Sequence, residues 1–338
     1  MNKALNLILA CLGMFSTVLI ADDPLVIYTQ RHYEADEKLF QQFTEETGIE
    51  LQILKAGASE LLERLKAEGD QSKADIFITV DAARLGEAKA QGIFEPVESD
   101  YLTSRIPAPY RDPDGHWFAF SMRARIIAYA PERVKETDLS TYEDLADPKW
   151  RGRILVRSSE NLYNQSLLAS IIGATGETEA MKWAQGVRKN MARPPQGSDR
   201  DQIRAVAKGL GDIAIVNSYY VGLLLNSSEK SDREAGQAIK LFFPNQEGRG
   251  THMNISGGGI LKVSDQKENA MKFLEFMLSD CVQDGFPTTT YEYPVAKTAE
   301  WSELQKSWGT FKSDSLNLSD LFEHAKNAVQ VFNQAGWE

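Results

Sequence analysis

Residues 25–48 read LVIYTQRHYEADEKLFQQFTEETG: an apolar run, a polar turn, then an amphipathic stretch closed by glycine. Leu25 to Thr29 has the length and residue types of a buried strand. Leu39, Phe40 and Phe43 share one face of a 3.6-residue period, and Gly48 supplies the stop. The unit then recurs. Glu50 to Leu54 reads as a strand, and Leu61, Leu62 and Leu65 stripe a helix ended by Gly69. Asp75 to Val80 is a further strand, followed by a helix from Ala82 to Gln91 that stops at Gly92. Strands alternating with helices predict a parallel sheet covered on both faces.

Outward from this series the pattern changes. Between Tyr101 and Val134 the helical period disappears, and His116 to Ala130 carries β-rich text suited to long strands crossing between lobes. A second series follows: strand Arg153 to Val156, helix Leu162 to Ile172, two more helices, and the buried strand Asp212 to Val216. Lys240 to Phe243 and the glycine-rich Asn245 to Gly259 segment predict a crossing back, and Glu268 to Leu278 and Leu318 to Asn333 read as late amphipathic helices. The expected division is residues 22–121 with 246–296 in one lobe and 122–245 with 297–338 in the other. Strands rather than a flexible tether join them, so hinge motion is the expected flexibility.

Ahead of the first strand, Met1 to Lys3 and the apolar run Ala4 to Ala21 have the form of a secretory signal peptide, with cleavage expected after Ala21. Its alternatives are a retained anchor and lipidation at Cys11. Cleavage removes Cys11 and leaves Cys281 as the sole thiol, which excludes an intramolecular disulfide. It also removes Lys3, so 36 basic residues stand against 48 acidic ones, a balance of −12. Such a chain is a poor partner for nucleic acid or anionic membranes and a tolerant host for a cation.

In open α/β sheets ligands bind where strands run out into helices. Three such junctions carry tyrosine: Tyr33 after the first strand, Tyr163 after Arg153 to Val156, and the pair Tyr219-Tyr220 after Val216. Neighbours in a strand point to opposite faces, whereas at a helix start they lie about 100° apart and can converge. Asn217 or Ser218 is a candidate N-cap for that helix. Four phenol oxygens without thiolates suit a hard, highly charged ion, and ferric iron is the natural candidate. A free phenol ionises at a pH of about 10, so a bound trivalent cation must supply the field that deprotonates it. Four phenolates on a trivalent ion leave one negative charge, for which Arg123 or Arg125 is a candidate balance. Any single tyrosine is more often a packing residue; four at strand ends make packing a weaker account. His32 is a candidate fifth ligand or a solvated neighbour. His252 reads as a hydrogen-bonding residue of the crossover.

The segments Arg31-His32-Tyr33, Asn161-Leu162-Tyr163-Asn164-Gln165-Ser166, Asn217-Ser218-Tyr219-Tyr220 and Gly250-Thr251-His252-Met253-Asn254 also resemble motifs of a known family. These are the periplasmic ferric-ion-binding proteins of ABC importers, in the tyrosine-rich branch of the bacterial solute-binding proteins. The resemblance implies a type II two-lobed fold with crossing hinge strands and a cleft between the lobes. It further implies Tyr33, Tyr163, Tyr219 and Tyr220 as ligands to Fe(3+), with iron as cargo and His32 as an optional addition. An obligatory synergistic anion is not expected beside so many phenolates. The implied setting is a monomer in the periplasm serving an inner-membrane permease and its ATPase. Two readings compete with this one. A binding protein for an organic solute such as a polyamine or phosphorylated compound shares the fold. An enzyme lacks a motif: Ser227 and Lys230 match Ser-x-x-Lys in a polar stretch only, and Gly257-Gly258-Gly259 reads as backbone crowding rather than a nucleotide loop.

Overall fold

The computed structural model describes residues 23–337; the signal-peptide and Cys11 expectations lie outside them. Nine strands form one continuous pairing network: β1 (Leu25–Thr29), β2 (Leu51–Lys55), β3 (Ile76–Thr79), β4 (Phe118–Tyr129), β5 (Ile154–Leu155), β6 (Ile213–Asn217), β7 (Lys240–Phe242), β8 (Met253–Ile260) and β9 (Tyr293–Pro294). Their main path runs β2-β1-β3-β8-β4-β6-β5, with β7 and β9 paired to β4 off it. The first three strands are parallel, as the opening series predicts, and β5 is parallel to β6.

β4 is the strand that crosses. It pairs antiparallel with β8 from Phe118 to Ala124, and from Arg125 onward with β6 and β7. β8 in turn lies between β3 and β4. Its glycines allow this. A Cβ on Gly259 would stand 2.1 Å from the His116 carbonyl oxygen, one on Gly257 2.5 Å from that of Phe118, and one on Gly258 2.7 Å from that of Phe77. Backbone crowding therefore accounts for the triple glycine.

The ends and the breaks differ from expectation in four places. The strand expected over Arg153 to Val156 shortens to Ile154–Leu155, since only those residues meet β6. A helix at Asp280–Thr289 escapes the period because Gly285 and Pro287 lie within it. Ser218 occupies the N-cap position of the helix Tyr219–Leu225 but does not cap it; its hydroxyl accepts from the Ala124 N–H at 3.3 Å, tying the helix start to β4. The helix of the final amphipathic stretch begins at Leu321, after a short 3-10 turn, and runs to Ala335. It packs against the helices Ala82–Ala90, Leu162–Thr175 and Glu177–Asn190, where Gly86 and Gly173 admit Phe322 and His324. Among the described residues no helix is long and apolar enough to cross a membrane.

Candidate metal centre

Each tyrosine is set by the start of a helix. Tyr33 is the N-cap residue of Glu34–Thr47, and its N–H donates to Asp36 Oδ2 at 3.0 Å. The same carboxylate accepts from Arg31 Nε at 2.7 Å. Tyr163 lies in the first turn of Leu162–Thr175, and Tyr219 and Tyr220 open Tyr219–Leu225. Helix geometry at that start brings the adjacent pair together, with ring centroids 4.1 Å apart.

The four rings converge from distant sequence. The Tyr33 hydroxyl donates to the Tyr219 hydroxyl at 3.3 Å, across 186 positions of chain. Their rings meet edge to face. Tyr163 sits among three guanidiniums: the Arg123, Arg125 and Arg157 carbons stand 5.9, 6.0 and 6.0 Å from its ring centroid. Arg123 lies as near Tyr219, at 6.0 Å, and Arg200 is 5.7 Å from Tyr220. Burial dominates the acidity of Tyr33, Tyr219 and Tyr220. It pushes Tyr33 up to about 12, even though the hydrogen bond with Tyr219 pulls the other way. Burial, then the negative potential of the neighbouring tyrosines, raises Tyr219 well above the ordinary phenol range, and Tyr220 rises with it. Without a cation Tyr33, Tyr219 and Tyr220 hold their protons at neutral pH.

Both arginines singled out by sequence lie at the rings, and both are already paired. Arg123 donates to Glu292 Oε1 at 3.2 Å and to the Val80 carbonyl at 2.8 Å. Arg125 donates to Asp199 Oδ2 at 2.7 Å and Asn164 Oδ1 at 2.7 Å. Glu292, 2 % exposed, also accepts from Arg31 Nη2 at 3.0 Å. Burial alone would raise its carboxyl, but Arg31 and Arg123 outweigh that and hold it below the usual carboxylate range. Sequence reasoning missed Asp36, Asp199, Glu292 and Arg200, and gave Arg31 and Arg157 no role beside the tyrosines. Around the phenols, five guanidiniums face three carboxylates, which leaves two positive charges to meet an anionic oxygen cluster.

His32 is exposed and stacks on Tyr33 with centroids 4.9 Å apart. Its Nδ1 faces the Gln30 carbonyl at 3.2 Å, which favours a proton there and leaves Nε2 as a lone-pair donor. His252 does not join the tyrosines. It is buried, and its backbone N–H donates to the Tyr142 hydroxyl at 3.1 Å; its ring Nε2 has no partner, and burial, with Arg249 and Arg125, lowers the imidazole to about 3. Ser227 lies between the helices Tyr219–Leu225 and Lys230–Gln237 with its hydroxyl toward Asp232. Elsewhere Asp112, Asp114 and His116 cluster, but Lys89 Nζ already stands 2.8 and 2.7 Å from the two carboxylates.

The chain is similar to known proteins along nearly all of its length. The model of the family described as bacterial extracellular solute-binding protein matches residues 71–312. The chain is 45% identical over 336 residues to iron uptake protein A1 of Synechocystis, covering 98% of this chain and 93% of that one. Among solved structures it is similar to a Trichodesmium protein described as IdiA (FutA) in complex with iron and citrate ligands. That match has a TM-score of 0.90 and 45% identity, covering 94% of this chain and all of the other. The ferric binding protein from Campylobacter jejuni matches with a TM-score of 0.89 and 45% identity, covering 93% of this chain and all of its own. The two-lobed type II fold of these neighbours is the fold of this chain.

Proposed function

The chain belongs to the bacterial extracellular solute-binding proteins, and from that premise we propose that it captures ferric iron as cargo on Tyr33, Tyr163, Tyr219 and Tyr220. The observation that carries the reading is the contact between the Tyr33 and Tyr219 hydroxyls, 3.3 Å apart inside a cluster of four phenols. Two oxygens bound to one small, hard cation at about 2.0–2.1 Å stand roughly 3 Å apart in octahedral geometry. The rival polyamine reading needs carboxylates free to meet ammonium groups. Here Asp36, Asp199 and Glu292 are each matched to an arginine.

His32 Nε2 supplies a fifth donor from the solvent side. Arg200, beside Tyr220, carries the positive charge that balances the single negative charge of four phenolates on a trivalent ion, because Arg123 is matched to Glu292 and Arg125 and Arg157 share Asp199. An anion such as citrate is an optional occupant, not a required one. Residues 22–121 with 246–296 and residues 122–245 with 297–338 act as lobes that close on the ion, bringing Tyr33 onto the other three. The protein works as a periplasmic monomer after loss of residues 1–21, and passes iron to an inner-membrane ABC permease driven by its ATPase.

Purified protein loaded with ferric iron is expected to turn red or orange by phenolate-to-metal charge transfer, with one iron per chain by elemental analysis. Each phenol that is protonated beforehand releases a proton on binding, so affinity weakens as pH falls. A colourless protein without bound iron overturns the assignment.

A further inference from the structure

Behind the tyrosines lies a buried carboxylate that none of them uses. Asp81 follows β3, is 1 % exposed, and caps the helix Ala82–Ala90 by accepting the Arg84 N–H at 3.2 Å. Its second oxygen accepts from Asn254 Nδ2 at 2.7 Å and from the Ser166 hydroxyl at 2.5 Å. Asn254 is on β8, and its Oδ1 accepts the N–H of Ala82 at 3.0 Å, so this part of the cluster belongs to the side of the molecule built on β3 and β8. Ser166 does not. It is on the helix Leu162–Thr175 that follows β5, three residues after Tyr163, and residues at that spacing share a helix face. The Ser166–Asp81 bond therefore fastens the helix that carries Tyr163 to the side that carries Tyr33.

Farther along, the same two helices meet the C-terminal helix Leu321–Ala335. A Cβ on Gly86 would be 2.5 Å from Phe322 Cβ, and one on Gly173 would be 3.2 Å from the His324 ring. Gly86 is five residues past Asp81 and Gly173 seven past Ser166, about 7 and 10 Å along the helix axes. Each helix thus has a close backbone approach at one point and the shared polar contact at another.

We propose that Ser166 and Asp81 form an inter-lobe latch, made as the cleft closes and broken as it opens, that controls how fast bound metal is released. The inference rests on the cleft reading above and deepens it: Ser166 and Asp81 are positioning residues and touch no ligand oxygen. A buried carboxylate oxygen with donors from the two sides favours the closed arrangement, because separation takes away one donor and wets a buried group.

The test compares the full mature chain with Ser166→Ala and Asp81→Asn, using small-angle scattering of the iron-free protein and stopped-flow transfer of iron to excess chelator. Ser166→Ala leaves the Asn254 and Arg84 contacts of Asp81 in place. It is expected to raise the radius of gyration of the iron-free protein and to speed iron release about tenfold, with one iron per chain and an unmoved visible band. Asp81→Asn, which replaces one acceptor oxygen by an amide donor facing other donors, is expected to act in the same direction. Damage confined to packing would instead shift the band or lower the iron content, and that result overturns the latch. So does a Ser166→Ala protein whose scattering and release rate equal those of the unaltered chain. If the unaltered chain takes up no iron, the cargo assignment falls, and the scattering comparison alone decides the latch.

Discussion

The turn that carries Tyr33 and the helix start that carries Tyr219 and Tyr220 present the same functional group in opposite ways. Tyr33 is half-buried, fixed through its backbone by Asp36, and flanked by an exposed histidine. Tyr219 is 2 % exposed, packed close against Tyr220 at a tilt and backed by Arg123. Burial raises Tyr33 to about 12, and it lifts Tyr219 and Tyr220 well above the ordinary phenol range. The helix start is thus a prebuilt half-site whose phenols are costly to ionise without a cation. In the proposed reading, the turn supplies the fourth donor that completes the shell when the cleft closes. This difference orders what each change should do.

The largest effect is expected where the two regions are joined. Glu292 bridges Arg31, two residues before Tyr33, to Arg123, which backs Tyr219. Glu292→Gln leaves two buried guanidiniums short of one negative charge, and breaking such a pair costs about 3–5 kcal/mol. Chemical denaturation at neutral pH should register it. The carboxyl is held below its unfolded value, so its stabilisation is complete above the ordinary glutamate range and lost as pH falls through the folded value. The difference between variant and parent should therefore shrink in acid; a constant gap would show that Glu292 acts through shape alone.

Next is Tyr219→Phe. It removes the oxygen that meets Tyr33 and lies beside Tyr220, so iron affinity by chelator competition should drop by more than about 100-fold, beyond the range typical of outer partners. Tyr33→Phe should be milder, about tenfold to 100-fold in affinity, with the coloured complex retained and less compaction on iron loading. Equal losses for the two variants would erase the distinction between a prebuilt half-site and a closing donor. An alkaline titration sharpens it in the iron-free protein. Tyr33 is raised from about 10 to about 12, so its contribution is whole below pH 10 and is lost as pH climbs through that window. Tyr219 should ionise only on unfolding, and the ultraviolet tyrosinate signal separates the two.

Much of this comparison was legible in the sequence, for a definite reason. Strand-to-helix junctions are local features, so Leu25 to Tyr33 and Ile213 to Tyr220 announce both the fold and the position of the phenols. The doublet's convergence also follows from local geometry. What escaped was non-local. Glu292 lies 261 residues from Arg31 and 169 from Arg123, in a stretch where Pro287 and the positive φ of Tyr291 hide the helix and the turn. The Asp81–Ser166 contact spans 85 residues, and each partner alone reads as an ordinary strand-end aspartate or helix serine. The failed N-cap has the same origin: Ser218 has the right residue type and place, but β4 runs close enough to claim its hydroxyl.

The smallest effect belongs to His32, the most exposed member of the group. Its Nδ1 is committed to the Gln30 carbonyl of its own turn, so the ring is oriented by the same segment that orients Tyr33. Four phenolates already supply most of the field at the ion, and a neutral imidazole adds a donor without charge. His32→Ala should therefore weaken iron binding by about tenfold or less, the lower end of what ligand-supporting groups contribute, with a small shift of the visible band. His32→Gln, which keeps bulk beside Tyr33, should shift the band as His32→Ala does if the ring nitrogen binds iron. A band unchanged in both variants removes His32 from the shell and leaves its stacking on Tyr33 as its whole role, with the turn contributing one oxygen against three from the opposite side.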